Sequence, residues 1–274
     1  MWRRIVDCLG VAVEIRSRVV ELDRVLDAVF QTYAEASGAA AVVFDLEPDG
    51  KRLMRDGTEL RRFRDPIDLV AALELDLYRE VLARARGLLL HAGAVVGAGG
   101  AALVFAGRSG AGKSTLVRGL LARGFRYLSE ECVALVPGGA CRGLARSLHA
   151  DEGALPPPLG YTSGAYPIRK QGGGVRVTRL DRPPEEAIWR GEARAAAVVA
   201  IGHARDADGA LEPLGGGAAL ALLWPAVFRP DQEAVAEAGP VLAGVGRYQL
   251  HTARPEQAIE RALALAAELG VEPA

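Results

Sequence analysis

The sequence predicts an α/β protein with a P-loop phosphate-binding core and a small α+β region ahead of it. Three observations predict this. The stretch Gly107-Arg108-Ser109-Gly110-Ala111-Gly112-Lys113-Ser114-Thr115 fits G-x-x-x-x-G-K-[ST], the Walker A loop that cradles phosphates. The loop also stands where that motif must stand. Ala101 to Ala106 before it is an apolar run that reads as a strand, and Thr115 to Arg123 after it reads as a helix with Leu116, Val117, Leu120 and Leu121 on one side and Gly124 as its stop. Finally, half of the 274 residues are hydrophobic, enough for a sizeable core in one large domain or two. The expected division is residues 1–86, a small α+β region, and 87–274, the nucleotide-binding domain.

Each residue type in the loop has a chemical reason. The glycines let backbone N–H groups turn inward around phosphate oxygens, where a Cβ would block the approach. The N-terminus of the following helix adds its partial positive charge. Lys113 is a mobile point charge for the outer phosphates, and Ser114 can offer its hydroxyl to Mg²⁺. The chain is rich in arginine yet holds only three lysines, of which Lys113 is one.

Composition narrows the function classes. A net charge of −1 gives no reason to expect nucleic acid or an anionic membrane as partner. Cys8, Cys132 and Cys141 show neither paired spacing nor C-x-x-C, and a sparse, odd count fits a reducing cytoplasm. Arg3, Arg4 and Asp7 sit where the apolar stretch of a signal peptide would begin. Gly87 to Gly107 is a 21-residue, almost wholly apolar run that resembles a membrane span. It holds His91, is broken by Gly97-Ala98-Gly99-Gly100 and ends in the P-loop, so two buried strands joined by a glycine turn account for it better. The expected location is cytoplasmic.

Taken in order, Val11 to Ile15 alternates weakly as a strand. Leu22 to Ala36 carries Leu22, Val25, Leu26, Val29, Phe30 and Tyr33 at helical spacing. Ala40 to Leu46 reads as a strand, followed by Lys51 to Met54 and Glu59 to Phe63 as a hairpin around Asp56-Gly57. Asp65-Pro66 opens a helix reaching about Ala85, with Leu69, Leu73, Leu77, Val81 and Leu82 inward. Arg61, Arg62 and Arg64 could meet phosphate or an acidic partner, but a solvated strand face is the preferred reading.

Leu88 to Val96 is the next strand. A lone histidine in such a run is more often a packed core residue than a catalyst. His91 lies on the strand just ahead of the P-loop strand, 16 residues before Gly107, which brings the γ-phosphate region within its reach. Phe125 to Val136 reads as a further strand, split by Ser129-Glu130-Glu131. Two carboxylates inside an apolar strand are costly to bury unless a metal or a cation meets them. A solvated strand end is the alternative; the functional reading is preferred, because strands beside a P-loop deliver carboxylates to Mg²⁺.

Residues 137 to about 193 read as loop-rich, with short strands at Val175 to Leu180 and with Arg142, Arg146, Arg169 and Lys170 as lid cations or, more commonly for such residues, solvated ones. Ala195 to Ile201 is a buried strand, Gly217 to Leu223 and Asp231 to Ala238 begin helices, Arg247 to His251 is a last strand, and Pro255 to Leu269 is the closing helix. His149, His203 and His251 show no metal-ligand spacing.

The runs Leu90 to Val96, Leu103 to Ala106 with the P-loop, and Arg123 to Leu135 together resemble the core of the HPr kinase/phosphorylase superfamily, in particular its shorter HPr-kinase-related members. The resemblance is specific over roughly residues 88 to 136 and weaker toward the end of the chain. It implies a phosphoenolpyruvate-carboxykinase-like P-loop kinase core and transfer of the γ-phosphoryl group of ATP to a serine hydroxyl. His91 matches that family's strand histidine. Glu130 and Glu131 match its consecutive acidic pair, of which the first accepts the hydroxyl proton and both lie near the metal. The family usually has Asp-Asp or Asp-Glu there, so this chain departs by one methylene at each position at most.

The resulting expectation is an ATP- and Mg²⁺-dependent kinase. His91, Lys113, Glu130 and Glu131 would be catalytic, residues Gly107 to Thr115 would bind the nucleotide, and Ser114, Glu130 and Glu131 would hold the metal. The acceptor would be a hydroxyl of a protein, a peptide or a small molecule, and a homo-oligomer is compatible with it. The family's signature for phosphorolysis is absent from the sequence, which favours the kinase direction. The alternatives are a non-catalytic nucleotide-binding regulator or a P-loop ATPase. An ABC-type ATPase would need an L-S-G-G-Q-like signature, and a GTP switch N-K-x-D; neither occurs.

Overall fold

The structure is a computed structural model of the 274-residue chain, and it describes all residues except 65, 151–156, 159, 170–174, 203–208 and 252–253. It is a mixed α/β protein with three sheets and six α-helices among the described residues. The chain divides into two compact units. The first holds Met1–Ala85, Arg146–Gly153 and Tyr161–Arg182; the second holds Arg86–Ala145, Ala154–Gly160 and Pro183–Ala274.

This division differs from the sequence expectation of 1–86 and 87–274, because two later segments belong with the N-terminal unit. The physical reason is a three-stranded antiparallel sheet of Leu148–Ala150, Val175–Arg182 and Thr162–Arg169. Its strands pack on the helices Asp23–Phe30 and Pro66–Arg84. Ser147 Oγ donates to the Ala28 carbonyl at 2.9 Å, and Arg146 reaches Glu74 at 3.4 Å. The expectation of a loop-rich stretch from 137 to 193 is therefore corrected: Ala140–Gly143, Leu148–Ala150 and Thr162–Arg169 are strands, while the strand expected at Val175 to Leu180 forms as Val175–Arg182.

In the first unit a six-stranded sheet runs in the spatial order Ala34–Glu35, Trp2–Cys8, Val11–Ser17, Val42–Leu46, Arg52–Arg55, Thr58–Arg62. Asp56 (φ 49°) and Gly57 (φ 79°) make the tight turn that Asp-Gly announces. The same geometry recurs without that signature at Leu9 (φ 58°) and Gly10 (φ 85°), joining Val11–Ser17 to a strand, Trp2–Cys8, that charged residues conceal in the sequence. The first helix ends at Phe30 rather than Ala36, because the chain turns to pair with Trp2–Cys8, where Ala36 N–H donates to Ile5 O at 3.1 Å. Arg61 forms a bidentate pair with Asp76 at 2.6 and 2.9 Å, and Arg62 pairs with Glu59. These two arginines are taken up within their own unit.

The second unit is built on a mixed sheet. Its order is Ala140–Gly143, Cys132–Leu135, Leu88–Val96, Ala101–Ala106, Ala193–Gly202, Gly246–His251, Leu211–Pro213. Arg126–Ser129 pairs with the second half of Leu88–Val96, and Ala140–Gly143 also pairs with Ala193–Gly202, so five strands form a closed ring of pairings. Ala101–Ala106, Ala193–Gly202 and Gly246–His251 run parallel. Parallel strands are covered on both faces, which is why Ala101 to Ala106 is apolar throughout and wholly buried. On one side the core joins Leu90, Ala92, Val104, Ala106, Val198 and Ala200 to Leu223, Val227, Ala238 and Val241. The apolar run from 87 to 107 is thus two strands, and no helix among the described residues is long and apolar enough to cross a membrane.

Glu14 is one of the buried carboxylates of the first unit, with Asp76 and Asp181. The hydrogen bond from Arg16 (2.8 Å), and then that from Arg3, outweigh the opposing effect of burial and bring its carboxyl from 4.5 to about 2. An unfolded chain takes up this proton near pH 4.5, whereas the folded one stays ionised to about pH 2, so its contribution is present above 4.5 and lost as pH falls between the two. Denaturant melts at stepped pH should show wild-type stability dropping through this window, and Glu14→Gln should flatten that drop.

Candidate functional site

The site is assembled around the strand Leu88–Val96. The P-loop strand pairs with its second half, Ala106 opposite Ala92, and leaves the sheet at Gly107, whose N–H still donates to His91 O at 3.3 Å. The chain then turns through Gly110 (φ 80°) and Gly112 (φ 96°), left-handed conformations that a side chain would strain. The turn is closed by Ala111 N–H on Arg108 O at 3.1 Å. The helix starts at Lys113, two residues earlier than predicted, with Gly112 at its N-cap and no side chain capping it. The first N–H groups of a helix have no partner within it, and here none of them is capped by the side chain of the N-cap residue. Arg108, Ser109 and Gly110 are exposed and Lys113 is buried. Lys113 Nζ donates to Gly107 O at 2.9 Å and Arg108 O at 3.0 Å, folded onto its own loop. Burial pulls the Lys113 ammonium below its ordinary pKa, against the attraction of Glu131 and Glu130.

The predicted strand from 125 to 136 is interrupted. Arg126–Ser129 and Cys132–Leu135 are separate pieces, both antiparallel to Leu88–Val96, with Ser129 opposite Ala94 and Cys132 opposite His91. Glu130 and Glu131 span the gap, where one backbone bond survives, Ala92 N–H to Glu131 O at 3.2 Å. Ser129 makes the break. Its Oγ lies 2.9 Å from Cys132 O and 3.0 Å from Leu144 O, and it accepts from Cys132 N–H at 3.2 Å and Glu131 N–H at 3.3 Å. A side-chain hydroxyl thus replaces the ladder locally. Glu130 is 6% exposed. Facing the gap is Gly93, where an added Cβ would lie 2.7 Å from Val117 Cγ2 and 3.6 Å from Glu130 Cα. The missing side chain lets the P-loop helix and the glutamate backbone approach this strand together.

His91 is half-buried, and its Nε2 is 3.7 Å from Glu131 Oε1. Burial, then the Lys113 charge, lower its pKa against the pull of Glu131. Both effects favour the neutral imidazole over the imidazolium. Its ring packs against Phe228 with centroids 5.6 Å apart. Past the point where the P-loop strand leaves the sheet, Val227 bridges to Leu90 and Phe228 N–H donates to Leu89 O at 3.0 Å. Sequence reading missed Phe228, and placed Ser129 at the split of the strand without giving its hydroxyl a role. The turn-forming hydroxyl beside Glu130-Glu131 was the available signal for Ser129; Phe228 arrives from 137 residues downstream, with no local signal.

The structure thus brings His91, Lys113, Glu130 and Glu131 within electrostatic range of the loop from Gly107 to Thr115. Other residues singled out in the sequence go elsewhere. Arg142 pairs with Glu192 at 2.5 Å, and Arg146 reaches Glu74 and His149 in the first unit. The Arg169 side chain, Lys170 and His203 lie outside the described residues. Among the described residues no three His, Cys, Asp or Glu side chains form a ready-made metal cluster. Ser114 offers a hydroxyl and Glu130 and Glu131 offer carboxylates, all oxygen donors of the kind that Mg²⁺ takes. No known protein-family profile matches this chain, and no curated protein matches it.

Two outcomes follow from this geometry. Gly93→Ala should destabilise the protein by about 1–3 kcal/mol in urea melts, the usual range for overpacking a filled interior. In NMR titrations the His91 ring should protonate below its ordinary value of 6.5, and Lys113→Ala should move that midpoint upward.

Proposed function

We propose that the second unit is a phosphoenolpyruvate-carboxykinase-like P-loop core of the HPr-kinase kind, and that the chain is an ATP- and Mg²⁺-dependent kinase. It would transfer the γ-phosphoryl group to a hydroxyl, most plainly a serine of a protein or peptide, with a small-molecule alcohol as the other acceptor class. The observation that carries this reading is the interrupted strand: two glutamates released from the ladder beside the strand on which His91 sits, level with the mouth of the P-loop. Positioning and charge neutralisation are what phosphoryl transfer requires of a protein.

In this reading the loop N–H groups and Lys113 hold the outer phosphates. Lys113 must exchange its bonds to Gly107 O and Arg108 O for phosphate oxygens. Ser114 and one of the glutamates would hold Mg²⁺, which when bound neutralises charge on the phosphates. Glu130 accepts the proton of the acceptor hydroxyl as its oxygen bonds to the γ-phosphorus and the bond to the β-phosphate oxygen breaks, leaving ADP. Neutral His91 donates or accepts one hydrogen bond beside the transferring group without adding like charge to Lys113.

Calorimetry with Mg²⁺ and ATP, followed by mass spectrometry of acceptor peptides, tests the reading. Lys113→Ala should weaken ATP binding by roughly 10- to 100-fold, the worth of a charge-assisted hydrogen bond. Glu130→Gln should leave binding within a few-fold and slow phosphorylation by about 10² to 10⁴, the usual contribution of a general base. Failure of the wild type to bind ATP would overturn the reading. Tight binding with no phosphoryl transfer to any serine, threonine or small alcohol would make the chain a nucleotide-binding regulator instead.

A further inference from the structure

A second set of polar groups lies on the other flank of the P-loop strand. Ala193–Gly202 runs parallel to Ala101–Ala106 with Ala200 opposite Ala106, and Gly246–His251 runs parallel to it in turn, with Gly202 opposite His251. These carboxyl ends are level with the mouth of the P-loop: a Cβ built on Gly107 would stand 3.5 Å from Ile201 O. Gln249 and His251, two residues apart on one strand, project to the same side. They converge on Gly202, where an added Cβ would lie 3.2 Å from His251 Nδ1 and 3.3 Å from Gln249 Nε2. Both are only partly exposed, and among the described residues neither side chain has a hydrogen-bond partner.

We infer that Gly202, Gln249 and His251 form the subsite for the nucleoside end of a nucleoside triphosphate, an assignment that rests on the nucleotide reading above. The glutamates and His91 occupy one flank of the P-loop strand, so the terminal phosphate points that way. The rest of the ligand must leave over the opposite flank, along the carboxyl ends of the parallel strands Ala193–Gly202 and Gly246–His251. Strands stand about 4.8 Å apart, so Gln249 and His251 are about 10 Å across the sheet from the P-loop strand, the reach of a ribose and base beyond the α-phosphate. The Gln249 amide supplies a donor and acceptor pair for the edge of a base, and the His251 ring supplies a flat face and a ring nitrogen. Gly202 keeps the surface between them open.

The test is calorimetry on the full chain with Mg²⁺, using ATP and, separately, inorganic tripolyphosphate. Gly202→Val keeps a strand-compatible residue while filling the space; Gln249→Ala and Gln249→Glu remove the amide pair with and without loss of volume; His251→Ala removes the ring. Thermal melts without ligand report whether each variant folds. Each folded variant should bind ATP at least about tenfold more weakly, a change of about 1.4 kcal/mol, with tripolyphosphate affinity within about twofold of wild type. Unchanged ATP affinity, or equal weakening of both ligands, would overturn the subsite. A wild type that binds tripolyphosphate as tightly as ATP would overturn the subsite alone and leave the P-loop reading standing. A wild type that binds neither would overturn that reading and the subsite with it.

Discussion

The backbone ladder of one strand, Leu88–Val96, sets the position of everything else in the candidate site. Its second half pairs with the strand that feeds the P-loop, while Arg126–Ser129 and Cys132–Leu135 share its other edge. Where the P-loop strand peels away, Val227 and Phe228 take the vacated edge. A buried N–H or C=O must find a partner, so each departure from the ladder requires a compensating bond elsewhere. Ser129 Oγ provides it on one edge and the backbone at 227–228 on the other. The site is the set of places where this strand's neighbours stop pairing with it.

Electrostatics completes the arrangement. Two carboxylates and an ammonium are held at partly desolvated positions, where an isolated charge would be strongly unfavourable. Lys113 is stabilised by two loop carbonyls and by the field of Glu131 and Glu130, and that ammonium together with burial favours the neutral form of His91. Positive charge therefore concentrates on the loop, acidic oxygens on the interrupted strand, and an uncharged hydrogen-bonding ring between them.

Much of the second unit was legible in the sequence because its signals are local. A glycine-lysine-serine loop, an apolar run on either side of it and a helix stop at Gly124 are all read within a window of a few residues, and Leu88–Val96 and Ala101–Ala106 form with those bounds. Within 137 to 193 the strand at Val175 was legible, but the proline and glycine clusters around it read as loop, and the pairing partners that make strands of Leu148–Ala150 and Thr162–Arg169 lie outside any local window. Trp2–Cys8 was hidden in the same way: only its ladder with Val11–Ser17 reveals that its charged residues lie on a strand.

The sequence by itself determined the chemical groups at hand: a glycine-rich loop, one lysine within it, an acidic pair in an apolar run and a histidine in another. These depend on residue type and short spacing, which chain geometry converts directly into turns and strand faces. Only the tertiary structure decided that the acidic pair sits in a gap opposite Gly93, that Phe228 flanks His91, that Gln249 and His251 converge on Gly202, and that residues from beyond 146 complete the first unit. Each of these is a contact between residues far apart in the chain, set by sheet order and register, and no local pattern of side chains encodes which strand will lie beside which.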